Sequence, residues 1–320
     1  MYKFFKDNKK WGVPGAVFIV FGIFCQVMIS VEINEWYGLF YGQIQDSLSK
    51  PNSVALGSFY STLLQFCLLA GMWVVISTIV KFFSSHWTFR WRNSMVNQYH
   101  KNFSENKIEG SSQRVQEDTL KFTRLTEDLG QNLAEAAITL IMFFPILYKL
   151  GENIAEKSGQ HALIYTAIAA ALGGTLLLAF IGKKLPGLEY DIQVEEAAYR
   201  KKLVKMENEE LTWRADLATV EYLYEQVRKV HYRSYFHYLY FNLTRYSYMQ
   251  GMVIVPYVVM APSIVAGLLT LGVVRQIGHS FTQVSSNLQY LVQSWPQIVE
   301  LMSVHKRLKE YDKLCQQQQS

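Results

Sequence analysis

Uncharged runs as long as a bilayer is thick set the strongest limit on how this chain can fold. A helix rises 1.5 Å per residue, so about 20 residues cross a hydrocarbon core of about 30 Å. Trp11 to Val31 and Asn52 to Val80 carry no charged side chain. Neither does His161 to Gly182, which contains the Gly173-Gly174 pair that membrane helices accept. Leu133 to Tyr148 is a weaker run, with Glu135 inside it and Pro145 expected to kink it. From Tyr235 to about Val273 the only charge is Arg245. That stretch is too long for one crossing, and Pro256 and Pro262 suggest a turn near Ala261 to Gly267 and a return as a sixth span. The expected fold class is an all-α membrane protein built as a six-helix transmembrane bundle.

The distribution of Lys and Arg is independent of this hydropathy reading. Residues 1–10, 81–130, 183–233 and 303–320 hold 26 of the 31 basic residues. The opposite loops supply only Lys50, Lys149 and Lys157. Basic loops of modest length stay in the cytoplasm, so both ends are expected there, with the protein in an inner membrane. The net charge of +5 then reads as a topology signal and as contact with lipid phosphates, not as nucleic-acid binding. Cys25 and Cys67 fall in expected spans and Cys315 in the tail, so no structural disulfide is expected. The first apolar run is longer than a signal-peptide core and has no small-x-small cleavage site before Glu32, so it is expected to be retained as an anchor.

The two long connections, about 81–130 and 183–233, are poor in Gly and Pro and rich in Glu, Lys, Arg and Leu. They are expected to continue the spans as helices. All 320 residues are then expected to form a single transmembrane domain with helical cytoplasmic extensions. Long internal and short external connections in a six-span chain resemble the membrane half of an ATP-binding-cassette exporter, an analogy at the level of fold.

The sixth segment has the clearest periodicity. Ile277, Phe281, Val284, Leu288, Leu291, Trp295, Ile298 and Met302 make an apolar stripe in steps of four and three. One residue earlier run Gln276, Ser280, Gln283, Asn287, Ser294 and Gln297, widened by His279, Ser286, Gln293 and Glu300. Such a helix lines water or hydrogen-bonds within a bundle; the number of uncharged polar groups favours water.

Enzyme motifs fail on inspection. Gly182-Lys183-Lys184 resembles the end of a phosphate loop, but Leu177 stands where glycine is required and no Ser or Thr follows the lysine. No ATP bound by this chain, no cofactor, no metal and no catalytic set is expected. The candidates that remain are carboxylates beside or within spans: Glu117, Glu127, Glu135, Glu195, Glu196 and Glu207. A desolvated carboxyl can load and release a proton near neutrality. A solvated helix face with i, i+4 partners, such as Glu196 with Arg200, is the plainer alternative. Arg245, the one strong base inside a span, is expected to face the bundle in an ion pair. The tyrosines and phenylalanines around it form an interfacial belt or contact a ligand.

Several segments together resemble the SbmA/BacA-like peptide antibiotic transporters of bacterial inner membranes. They are HWTFRWR at 86–92, IEGSSQRVQEDT at 108–119, KLPGLEYDIQVEEAAYRKKLV at 184–204, YFHYLYFN at 235–242, SIVAGLLTLG at 263–272, and NLQYLVQSW with VELMSVHKRL further on. The resemblance implies a homodimer with cassette-exporter membrane architecture and no nucleotide domain, importing peptides on the proton gradient. It places the family's proton-handling or cavity glutamates on Glu117, Glu127, Glu196 and Glu207, and gives no place to Glu135. Similar members often begin with an additional membrane segment, whereas this sequence starts with FFKDNKKWG shortly before its first span. A second function class stays open, the membrane subunit of an ATP-driven transporter with a separate nucleotide-binding chain. A non-transporting scaffold would leave the polar stripe without a purpose.

Overall fold

The computed structural model describes residues 3–7, 11–103, 112, 114–152, 154, 159–208 and 213–317, which are helical with no strand among them. Nine α-helices are described: α1 (Lys3–Asp7), α2 (Val13–Ser49), α3 (Leu56–Phe103), α4 (Thr119–Gly151), α5 (Gly159–Gly182), α6 (Leu185–Asn208), α7 (Trp213–Val265), α8 (Leu271–Gln293) and α9 (Trp295–Gln317). A π-helical turn, Arg114–Asp118, leads into α4.

Five helices are long and apolar enough to cross a membrane: α2, α3, α4 with the turn before it, α5 and α7. Three of them far exceed a bilayer. Their 37, 48 and 53 residues make α2, α3 and α7 about 55, 72 and 80 Å long. Residues 81–103, 119–130 and 213–233 continue α3, α4 and α7, whereas 185–208 form a separate helix, α6, after a turn at Lys183-Lys184; 104–111, 113 and 209–212 lie outside the described residues. The expected sixth span, α8, has 23 residues, enough for a crossing, but its Gln, Ser and His content keeps it out of the apolar set.

The chain turns inside the expected Ala261 to Gly267 window, but none of the three prolines ends a helix. Helix α4 continues through Pro145, and α7 through Pro256 and Pro262. In a membrane helix neighbouring groups can take up the carbonyl that a proline frees. The turn comes after α7, at Gly267, whose φ of +71° suits glycine. There the Gly267 N–H donates to the Ile264 carbonyl and the Leu268 N–H to the Ser263 carbonyl. This is the paired closure of a Schellman motif, and it sends the chain back as α8.

Two compact units are present. The first comprises 1–171 and 256–320. In it α2 lies against α3, α4 and α8, and α4 lies against α3, α8 and α9. Its main core gathers Phe4 of α1, Trp87, Trp91 and Tyr99 of α3, Phe122 of α4, and Val304, Leu308 and Tyr311 of α9. A second cluster joins α2 to α3 through Ile29, Trp36 and Leu69, where the Trp36 indole N–H donates to the Thr62 carbonyl at 2.7 Å. Helices α2 and α8 run antiparallel, with Gly272 so close to Gly38 that a Cβ on it would lie 2.2 Å from the Gly38 carbonyl oxygen.

The second unit is 172–255. Here α6 and α7 pair antiparallel. The Tyr238 hydroxyl donates to Glu189 at 2.7 Å, His231 meets Glu196 at 3.2 Å, and the rings of Tyr199 and Tyr224 lie 5.6 Å apart. Large apolar side chains such as Leu64 and Val75 of α3, Leu176 and Phe180 of α5, and Leu243 and Val253 of α7 are exposed, as lipid-facing surfaces require.

Candidate functional site

Two buried polar centres in the first unit stand apart from its apolar packing. One is built around Glu127 of α4, which is 9% exposed. Ser84 donates to its Oε1 at 2.5 Å and Thr88 to its Oε2 at 2.8 Å, both from α3. The Gln131 amide donates to Oε1 at 3.0 Å and to the Ser84 hydroxyl at 2.6 Å. Three neutral donors hold a carboxylate that no cation touches among the described residues. Because hydroxyls rotate, those of Ser84 and Thr88 can instead accept from a protonated carboxyl. The cradle thus suits either protonation state, which a proton carrier needs.

The other centre is the seam between α2 and α8. Asn34, 1% exposed, pairs through Oδ1 with His279 Nδ1 at 3.0 Å. The Gln283 Nε2 lies 3.3 Å from His279 Nε2 and 3.5 Å from the Ser30 hydroxyl. Tyr37 meets the imidazole edge-on at 5.2 Å, and Phe143 of α4 does so at 5.8 Å. One turn earlier, Arg275 lies over the Tyr37 ring at 4.8 Å and near that of Tyr41 at 5.9 Å.

The expected polar stripe of α8 is divided by this packing. Gln276 is half-buried against Gly38, Gln283 serves the seam, and Asn287 donates to the Gln283 carbonyl at 2.7 Å. Ser280 and Ser294 are buried, whereas Gln297 is exposed. Thr282, Ser286 and Gln293 are also exposed, along a neighbouring line. On the apolar stripe Ile277, Phe281 and Val284 are buried; the side chains of Leu291 and Trp295 lie outside the described residues.

The other carboxylates are scattered. Glu117 is exposed and pairs with Lys121 at 2.8 Å. Its neighbour Asp118 is the buried one. Arg307 of α9 grips both Asp118 oxygens at 3.1 and 2.8 Å, and Arg114 adds a bond at 2.7 Å. The bond to Asp118 is also the main reason that Arg307 is still harder to deprotonate than usual. Glu135 is exposed on α4, with no hydrogen bond or ion pair among the described residues. Glu196 takes His231 as its partner instead of Arg200, and Glu207 is exposed near the end of α6. Arg245 is exposed, and the ion pair expected for it is absent among the described residues. Within the first unit no hydrogen bond joins any two of Glu117, Glu127 and Glu135 among the described residues, and within the second none joins Glu196 to Glu207.

The pattern that defines the SbmA/BacA-like family matches residues 6–316. The chain belongs to that family. Its five helices long and apolar enough to cross a membrane suit a multi-pass membrane protein of that family. It is also similar to the inner membrane ABC transporter ATP-binding protein YddA of Escherichia coli, 25% identical over 98% of this chain and 59% of that protein. The chloroplastic ABC transporter D family member 2 of Arabidopsis thaliana is 25% identical over 71% of this chain and 33% of its own length. An ABC transporter ATP-binding protein of Synechocystis is 26% identical over 64% of this chain and 30% of its own length. The chain thus spans little more than half of the first of these relatives and about a third of the other two.

Proposed function

We propose that this protein imports peptides across the bacterial inner membrane on the proton gradient, as a homodimer with both chain ends in the cytoplasm. The reading of residues 1–320 as one transporter domain belongs to the same proposal. The observation that carries it is Glu127, a carboxylate buried among neutral donors that can serve either protonation state. Coupling requires the proton affinity of such a group to differ between outward- and inward-facing states. A change of two pKa units corresponds to about 2.7 kcal/mol, close to the roughly 2.3 kcal/mol per charge that a potential of 100 mV supplies. The peptide cargo rests on family membership, and the cavity it needs is assigned to the polar side of α8.

A second reading has its own support. The similar proteins are described as ABC transporter or ATP-binding proteins, which favours a membrane subunit working with an ATP-hydrolysing partner. The phosphate-loop pattern is missing from these 320 residues, so ATP would have to act through another polypeptide or segment. Uptake of a labelled peptide into membrane vesicles separates the two. Accumulation under an imposed proton gradient that an uncoupler abolishes supports import by protons; accumulation driven by ATP alone overturns it.

A further inference from the structure

Helices α2 and α8 meet along a line of polar groups centred on one imidazole, and the donors and acceptors as they stand match one of its tautomers. Asn34 Oδ1 can only accept, so His279 Nδ1 carries the proton. The amide nitrogen of Gln283 can only donate, so His279 Nε2 presents its lone pair. The arrangement is satisfied by the neutral Nδ1–H tautomer. A second proton on Nε2 would set donor against donor.

The surroundings offer an imidazolium no compensation. From α8, Arg275 places a like charge one turn away, held over Tyr37 and Tyr41 of α2. From α2 the facing groups are Ser30, Asn34 and the Tyr37 phenol, while Glu32 and Glu35 are exposed. From α4 the contact is the Phe143 ring; Glu135, about two turns before it, is exposed. The last turns of α7 bring the Tyr257 hydroxyl beside Gly278. An uncompensated charge among such groups is expensive. Yet the seam is built from parts that can exchange roles: the Gln283 amide can turn its oxygen to the ring, and the Ser30 hydroxyl can rotate to donate. Opening the seam to water and moving Arg275 away would complete the change.

We propose that His279 is a proton-exchange site of this transporter, neutral while α2 and α8 are joined and protonated when they part. Only one bond forms or breaks at the ring, Nε2–H, and the proton comes from or returns to water. This deepens the proton-coupled reading and rests on it for its role in transport. Proton occupancy and seam opening then bias one another, as linked equilibria must.

The test uses the full chain in lipid nanodiscs with Cys25, Cys67 and Cys315 replaced by serine. Spin labels are placed at Leu48 of α2 and Ser286 of α8, both exposed and outside the network, and labelled protein is diluted with unlabelled. The inter-label distance distribution should shift between about pH 8 and about pH 5, the range over which a solvated imidazole titrates. His279→Gln should match the parent at about pH 8 and lose most of that shift. Ring-15N histidine spectra at about pH 8 should show the Nδ1–H tautomer for the signal missing in H279Q. The proposal is overturned by a pH-independent distance in the parent, by an equal shift in H279Q, or by the Nε2–H tautomer. A purely structural histidine would alter the distance at both pH values alike, which also overturns it. Vesicle uptake that ignores an uncoupler would sink the transport reading while leaving these measurements to stand or fall by themselves.

Discussion

At the scale of single residues, Glu127 and Asp118 are both buried acids with opposite chemistry. Asp118 is held by two guanidinium groups, whereas Glu127 is held by neutral hydroxyl and amide donors. Glu127→Gln keeps the shape and removes the proton, so uncoupler-sensitive uptake should fall at least tenfold while the protein still inserts and melts near the parent temperature. Glu117→Gln, on an exposed i, i+4 pair worth a few tenths of a kcal/mol, should leave uptake and melting close to the parent. Asp118→Ala should cost on the order of 3 kcal/mol, since it breaks a buried pair, and thermal melting in detergent should show it. Arg307→Lys should recover only part of the loss suffered by Arg307→Ala, because an ammonium cannot span both oxygens.

At the scale of helices, the spans and their extensions were legible because uncharged length and helix-forming composition are local properties. The turn residue Gly267 lay inside the expected window for the same reason. Pro256 and Pro262 pointed to that window, but which residue makes the turn was not set by them, because a membrane helix can run on through a proline when its neighbours take up the freed carbonyl. The site was only half legible. Ser84 with Thr88, and Glu127 with Gln131, stand at i, i+4 and could be read as polar pairs on two faces, but nothing local says that those faces meet. His279 could be seen on the polar side of α8; its partner Asn34 could not, being 245 positions away. Gly272→Val should force α8 off Gly38, lowering the melting temperature and folded yield more than the same change at the uncrowded Gly251. Gly267→Ala, which asks an L-residue to hold a positive φ, should cost about 1 kcal/mol in the same assay.

For the whole molecule, the charge-based topology makes a prediction that hydropathy alone does not. A cysteine at Asn52, in the short turn after α2 where φ is +65°, should be labelled by impermeant reagents in cells with a permeabilised outer membrane. One at Lys313 of α9 should be labelled only after the inner membrane is opened. The reverse pattern at either position would turn the chain over.

The Asn34–His279 bond also bears on how the protein is made. Helix α2 leaves the ribosome with an amide bound for a buried place, and its imidazole partner follows 245 residues later. At about 5 to 20 residues per second, that is a wait of roughly 12 to 50 s. Meanwhile Asn34 must borrow water, lipid head groups or an insertion factor as a temporary partner. Helix α8, whose polar content keeps it out of the apolar set, packs against α2, which is made before it. Nascent chains stopped before Leu271 should therefore remain bound to the insertion machinery and be degraded when released.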